Sequence, residues 1–348
     1  MIAAALVSVM GPIILAACEP VMVPAGQSAA PPRLTDDRYV AADGAALPLA
    51  RWPAANGAAP RAVILGLHGF GDYRNAFEDP AEIWSKDGIE TWAYDQRGFG
   101  KSPSRGRWPG TDTLVDDART VATLLRQRHP GVPLYIAGES MGGAVALVAA
   151  DRGIEADGLI LLAPAVRTRK SLGEVASAGA WFVSHTVPWL PIGPTSIDFE
   201  PTDNPKTMEK LQKDPLMLRN PRVDMATSLL DLMDAAYAAA ENVHMPYMLL
   251  HGMADLIVPS GPVGEAIKIM PPRRDSKLAF YRKGHHLLLR DKEGPKVSAD
   301  VAAWMENHEA PLPSGADIKA VEPKMQALWG TGRPTESRGE AANVGGGG

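Results

Sequence analysis

A single cysteine in 348 residues excludes an intramolecular disulfide and any cysteine-rich metal site. Lys and Arg form no block, and the formal net charge is −5; without clustered cations to neutralise phosphates, no nucleic-acid partner is expected. No apolar run reaches the roughly eighteen residues of a conventional membrane-spanning helix. What remains is a chain that is 45% hydrophobic, long enough for one large α/β domain with an insertion.

The position of the one cysteine matters more than its rarity. Ile2 to Ala17 is apolar, too short to span a bilayer, and suits a signal peptide over residues 1–17. Leu15-Ala16-Ala17-Cys18 resembles the lipobox of bacterial lipoproteins, where small residues admit the peptidase and the thiol accepts a diacylglyceryl group. That likeness implies a mature chain starting at lipidated Cys18, held at a membrane surface of the bacterial cell envelope, on its periplasmic face. Each acyl methylene adds about 0.8 kcal/mol of membrane affinity, so two or three acyl chains anchor a protein without a spanning helix. Residues 18–37 contain Pro20, Pro24, Pro31 and Pro32 among small side chains, the composition of an extended tether.

The stretch that organises the rest is Gly138-Glu139-Ser140-Met141-Gly142. An apolar run, Pro133 to Ile136, precedes it, and a small-residue, helix-forming run, Ala144 to Ala150, follows. Gly-x-Ser-x-Gly between strand and helix is a nucleophile elbow: the serine stands on a strained turn, and the glycines are there because side chains would collide. Ser140 is the candidate nucleophile. Upstream, Arg61 to Leu67 reads as a buried parallel strand ending in His68-Gly69-Phe70-Gly71. Such a glycine-flanked loop aims an amide at a reacting carbonyl, which makes the Phe70 and Met141 N–H groups the candidate oxyanion hole. His68 is expected to brace the loop.

Other elements follow the same strand and helix rhythm. Arg38 to Ala42 and Leu47 to Trp52 flank Asp43-Gly44, a hairpin signal. Ile89 to Tyr94 is a strand, after which Asp95 and Arg97 are expected to pair and pin their loop. Asp112 to Arg128 places Leu114, Ala118, Val121 and Leu125 on one helical face, with acids early and bases late. Gly158 to Ala163 and Pro246 to Leu250 read as strands. Between them the rhythm lapses over about 166–244, apart from a helix at Val223 to Ala240, which points to an inserted lid. Asp255, in the loop after the second of these strands, is placed either to orient an imidazole or to cap a helix at Gly261 to Met270. Lys277 to Arg282 is the last strand and leads into two adjacent histidines, His285 and His286. Val297 to His308 closes the domain. Residues 311–348, with one short possible helix to Trp329 and a glycine run at the end, are expected to be largely disordered.

The ordered set His68-Gly-Phe-Gly, Tyr94-Asp-x-Arg-Gly-x-Gly-x-Ser102 and Gly138-Glu-Ser-Met-Gly-Gly143 resembles the α/β-hydrolase superfamily. Within it the likeness is to the monoacylglycerol lipase and lysophospholipase-like (serine aminopeptidase-like) branch, over roughly residues 38–309. The resemblance implies a mostly parallel central sheet flanked by helices, a domain over 38–310, and a helical lid. It makes Asp255 the acid and selects His286, followed by Leu287-Leu288 and Arg290-Asp291, as the base, with His285 as the fallback. The implied activity is hydrolysis of carboxylic esters of single-chain lipids, monoacylglycerol or lysophospholipid, through an acyl-enzyme, with no cofactor and no metal. Aminopeptidase, thioesterase and acyltransferase chemistry on the same fold, or a lipid-binding lipoprotein without catalysis, are the alternatives.

Overall fold

Hydrophobic strands that are buried on both faces need helices above and below them, and the chain supplies both. The computed structural model describes residues 20–169, 173–193 and 200–317. Cys18, the expected signal peptide and the tail beyond 317 lie outside the described residues.

Nine strands form one sheet in the order β1-β2-β3-β5-β4-β6-β7-β8-β9. Strands β1 (Arg33–Leu34), β2 (Arg38–Val40) and β3 (Ala46–Trp52) make an antiparallel edge that joins β5 (Ile89–Tyr94) antiparallel. The Asp43-Gly44 turn is present, with Gly44 at φ 84°. From there β4 (Ala62–Leu67), β6 (Leu134–Glu139), β7 (Gly158–Leu162), β8 (Tyr247–Gly252) and β9 (Lys277–Tyr281) continue in parallel with β5. The order reverses at β4, whose neighbours are β5 and β6, and a doubly wound sheet offers its binding crevice at such a switch, beyond the strands' C-terminal ends.

Residues alternate between the two faces. Val63, Leu65 and Leu67 join the larger core under the helices α2 (Thr111–Arg128), α3 (Met141–Asp151) and α6 (Val223–Ala239), with α7 (Ser260–Ile269) beside them. Ala62 and Ile64 face the smaller core under α1 (Glu78–Lys86) and α8 (Gly294–Glu306). The anticipated stripe Leu114, Ala118, Val121 and Leu125 is buried. Between β7 and β8 lie α4 (Glu174–Thr186), α5 (Pro205–Lys213) and α6. On α4 Trp181 and Phe182 are 59% and 63% exposed.

Two expectations change. Asp95 and Arg97 do not pair with each other: Asp95 binds Arg74 at 2.7 Å and the Lys101 amide at 2.7 Å, whereas Arg97 binds Asp117 at 2.7 Å and Asp43 at 2.8 Å. The loop is pinned, but through Arg74, Asp43 and Asp117, which are distant in sequence, and through the Lys101 amide within the loop. The proline-rich stretch, expected as a tether over 18–37, does not hang free, and its Arg33–Leu34 already pairs with β2. The Val23 amide bonds the Trp108 carbonyl, Ala25 the Thr113 hydroxyl and Gly26 the Asp43 carboxylate, which lays residues 20–30 along the domain.

Candidate active site

The elbow has the predicted mechanics. Strand β6 ends at Glu139, α3 begins at Met141, and Ser140 between them sits at φ 53°, ψ −113°. Backbone strain of this kind costs about 1–3 kcal/mol and persists only where surroundings over-determine it. They do: the Ser140 amide bonds the Leu162 carbonyl at 2.9 Å, and the Ser140 carbonyl accepts from Ala144 at 3.1 Å and Ala165 at 2.9 Å. A Cβ on Gly142 would collide with the Leu67 carbonyl, and one on Gly138 with the Gly142 carbonyl. Only glycine lets the helix start this close to β4 and β6.

Gly69 passes beside Ser140, so that a Cβ there would lie 3.5 Å from the Ser140 Cβ. Phe70, the next residue, packs its ring edge-on to Phe99 at 5.3 Å. Met141, as the first helical residue, has an N–H with no partner inside its own helix. His68 braces the loop as expected. It is fully buried, its Nε2 accepts from the Gln96 amide at 3.0 Å and its Nδ1 donates to the Gly69 carbonyl at 2.8 Å. Burial holds its pKa below the ordinary imidazole value, consistent with a neutral structural ring.

Asp255 and His286 meet. The Asp255 Oδ2 lies 2.8 Å from His286 Nδ1, and its Oδ1 accepts from the Ile257 and Val258 amides at 2.8 and 2.9 Å. Both side chains are buried. Burial pushes the Asp255 carboxyl up, but the hydrogen bond and charge of His286 and the Val258 amide outweigh it and hold the group below its usual value. His285 turns elsewhere: its amide donates to Asp291 at 2.7 Å and its ring lies 3.7 Å from the same carboxylate. Of the two adjacent imidazoles, that of His286 reaches Asp255 and that of His285 faces Asp291.

Ser140, Asp255 and His286 follow β6, β8 and β9, all parallel, so all three stand at one edge of the sheet. The loops that carry Asp255 and His286 are tied together by the Met253 amide on the Tyr281 carbonyl and the Ala254 amide on the Gly284 carbonyl, both at 2.9 Å. Three further charges meet beside the site, a pairing that the reading of the sequence did not give. Arg290 Nη2 lies 2.7 Å from Asp72 and 3.0 Å from Glu139, all buried. Asp72 and Glu139 stand out only as charges in glycine-rich stretches, and Arg290 opens the charged run Arg290 to Glu293.

Among the described residues one metal-type cluster gathers its ligand atoms within 4.8 Å, namely Asp203, His285 and Asp291. Its carboxylates already serve backbone amides, Asp291 those of His285 and Asp203, and Asp203 that of Lys292. The cluster fastens loops.

Fold and site together define an α/β hydrolase. Within that class the chain belongs to the serine aminopeptidase, S33 family, whose profile matches residues 58–293. The monoglyceride lipase of Homo sapiens is 28% identical over 248 residues, which cover 70% of this chain and 80% of that protein. The monoacylglycerol lipase of Mycolicibacterium smegmatis is 24% identical over 253 residues, covering 72% and 89%. The crystal structure of a soluble variant of Saccharomyces cerevisiae monoglyceride lipase in complex with a substrate analog aligns with a TM-score of 0.67 at 21% identity, over 84% of this chain and 99% of that one. No helix among the described residues is long and apolar enough to cross a membrane.

Proposed function

We propose that this protein is a serine hydrolase that cleaves the ester of monoacylglycerols and related single-chain lipids. The observation that carries the reading is the buried Asp255–His286 pair, hydrogen-bonded at 2.8 Å, at the same sheet edge as a serine on a positive-φ elbow. The relatives that share the family act on monoglycerides by name.

In this mechanism His286 takes the Ser140 hydroxyl proton as the oxygen attacks the ester carbonyl, and Asp255 holds the imidazole tautomer and stabilises the cation that forms. The Phe70 and Met141 amides hold the oxyanion, about 3 kcal/mol each in comparable sites. His286 returns the proton to the departing glycerol, and water releases the fatty acid by the same path. The reaction needs no metal or organic cofactor. Helices α4 and α5 form the lid, while α6 packs on the core, and exposed Trp181 and Phe182 give the lid an apolar face toward acyl chains.

A fluorophosphonate probe tests the reading directly. Ser140 is covalently labelled in the wild type and Ser140→Ala is not, with turnover lowered about a thousandfold or more. Esterase activity retained by pure Ser140→Ala, or absence of labelling in folded wild type, overturns it. A panel of monoacylglycerols, lysophospholipids, thioesters and aminoacyl amides separates lipase from peptidase and thioesterase activity.

The lipobox-like Leu15-Ala16-Ala17-Cys18 supports a second part of the proposal, a lipid anchor on Cys18 that holds the enzyme at the cell-envelope membrane. Radiolabelled fatty acid is incorporated by the wild type and lost in Cys18→Ala; equal incorporation ends the idea.

A further inference from the structure

Arg290 is a charge that the proposed chemistry does not use. Its side chain is 7% exposed, with Nη2 at 2.7 Å from Asp72 Oδ2 and at 3.0 and 3.2 Å from the two Glu139 oxygens. The three residues belong to three different segments of the site, Glu139 being the last residue of β6. Asp72 lies two positions beyond Phe70, Glu139 immediately precedes Ser140, and Arg290 lies four positions beyond His286. The Arg290 carbonyl in turn accepts from the Thr202 hydroxyl, the Asn204 amide group and the Thr207 hydroxyl, at 3.2, 3.2 and 3.1 Å. Those donors lie at and just before the start of α5, in the interval between β7 and β8, and the Leu287 amide bonds the Pro201 carbonyl nearby at 2.8 Å.

Such a cluster is a costly way to gain stability, because a buried ion network must replace the water it excludes, and apolar packing often does as well or better. The best-attested use of buried ions is to fix register. Here burial pushes the Glu139 carboxyl up while Arg290 opposes the shift. The two carboxylates and the guanidinium are tolerated only while all three segments stay in place.

We propose that Arg290 is a positioning residue of the active site. One guanidinium clamps the oxyanion loop, the nucleophile elbow and the base loop in fixed register, and its carbonyl extends that register to the base of the lid. The inference rests on the reading of Ser140, His286 and Asp255 as the catalytic groups. A shift of about 1 Å between such groups is enough to cost about a hundredfold in rate.

The test separates positioning from folding by counting competent sites. Burst titration with an activated ester gives the active fraction, and steady-state hydrolysis then gives kcat per titrated site and KM. In Arg290→Lys, kcat per site falls about tenfold; in Glu139→Gln/Arg290→Gln, which removes one charge of each sign, it falls about a hundredfold, with KM within about threefold in both. A double variant that unfolds cooperatively and turns over within about threefold of wild type per titrated site overturns the proposal. Should the double variant not fold, Arg290→Lys decides: kcat per site within about twofold of wild type overturns the clamp, and a fall of about tenfold at constant KM upholds it. A wild type that is never labelled at Ser140 sinks the catalytic reading itself, an outcome distinct from any of these.

Discussion

At the scale of single residues, the site depends on atoms that have no freedom to move. Gly142 has none because the Leu67 carbonyl occupies the space a Cβ would need, so Gly142→Ala is expected to lose at least about 2 kcal/mol by overpacking, read from urea denaturation. The two histidines divide sharply. His286→Ala is expected to abolish ester hydrolysis by about a thousandfold or more, while His285→Ala, whose ring faces Asp291 instead of Asp255, keeps kcat/KM within about tenfold. The reverse ranking in a p-nitrophenyl ester assay would move the base to position 285. Asp255→Asn leaves His286 beside an amide that no longer selects its tautomer, and kcat drops on the order of ten-thousandfold.

At the scale of elements, distant segments are joined by buried charge. Arg97 connects the β2–β3 turn, through Asp43, with α2, through Asp117, and its side chain is 7% exposed. Arg97→Met leaves two carboxylates without a counter-ion, and the expected loss is about 3–5 kcal/mol of unfolding free energy, read from denaturant midpoints. Helix α4 makes the opposite bargain, because it leaves Trp181 and Phe182 in solvent. Trp181→Ser/Phe182→Ser is expected to lower hydrolysis of dispersed long-chain monoacylglycerol several-fold and to leave soluble short-chain esters unaffected. Equal loss on both substrates would assign these rings to fold stability.

At the scale of the whole molecule, buried imidazoles couple stability to pH. Burial pushes His251 down to about 4, and His68 is lowered by the same cause. The unfolded chain binds protons on these rings at higher pH than the folded one, so their stabilising contribution is present above about 6.5 and is lost as pH falls toward 4. For His251 alone the loss between pH 7 and 5 is about 2 kcal/mol. Glu139 and Asp291, raised by burial, pull the other way by taking up protons in the folded state first. Urea midpoints across this range fall on acidification in the wild type, and His251→Asn flattens the slope; a parallel slope in the variant removes His251 from the account.

What the sequence determined by itself was everything local: the parallel strands, announced by continuous apolar runs such as Ala62–Leu67, the stripe that makes Thr111–Arg128 a helix, and the glycines without which Ser140 cannot stand on its turn. The strands and the helix are encoded in spacing over a few residues, and the glycine pattern marks a turn whose crowding atoms, such as the Leu67 carbonyl, are remote in sequence. Helices α1, α4 and α5 were not legible, because short or mixed segments take their helicity from the surfaces they cover. Nor were the charge partners, since Asp43 and Asp117 meet Arg97, and Glu139 and Asp72 meet Arg290, only where segments distant in sequence converge. A charge excluded from water pairs with whichever opposite charge the fold brings within reach, and that proximity exists only in three dimensions.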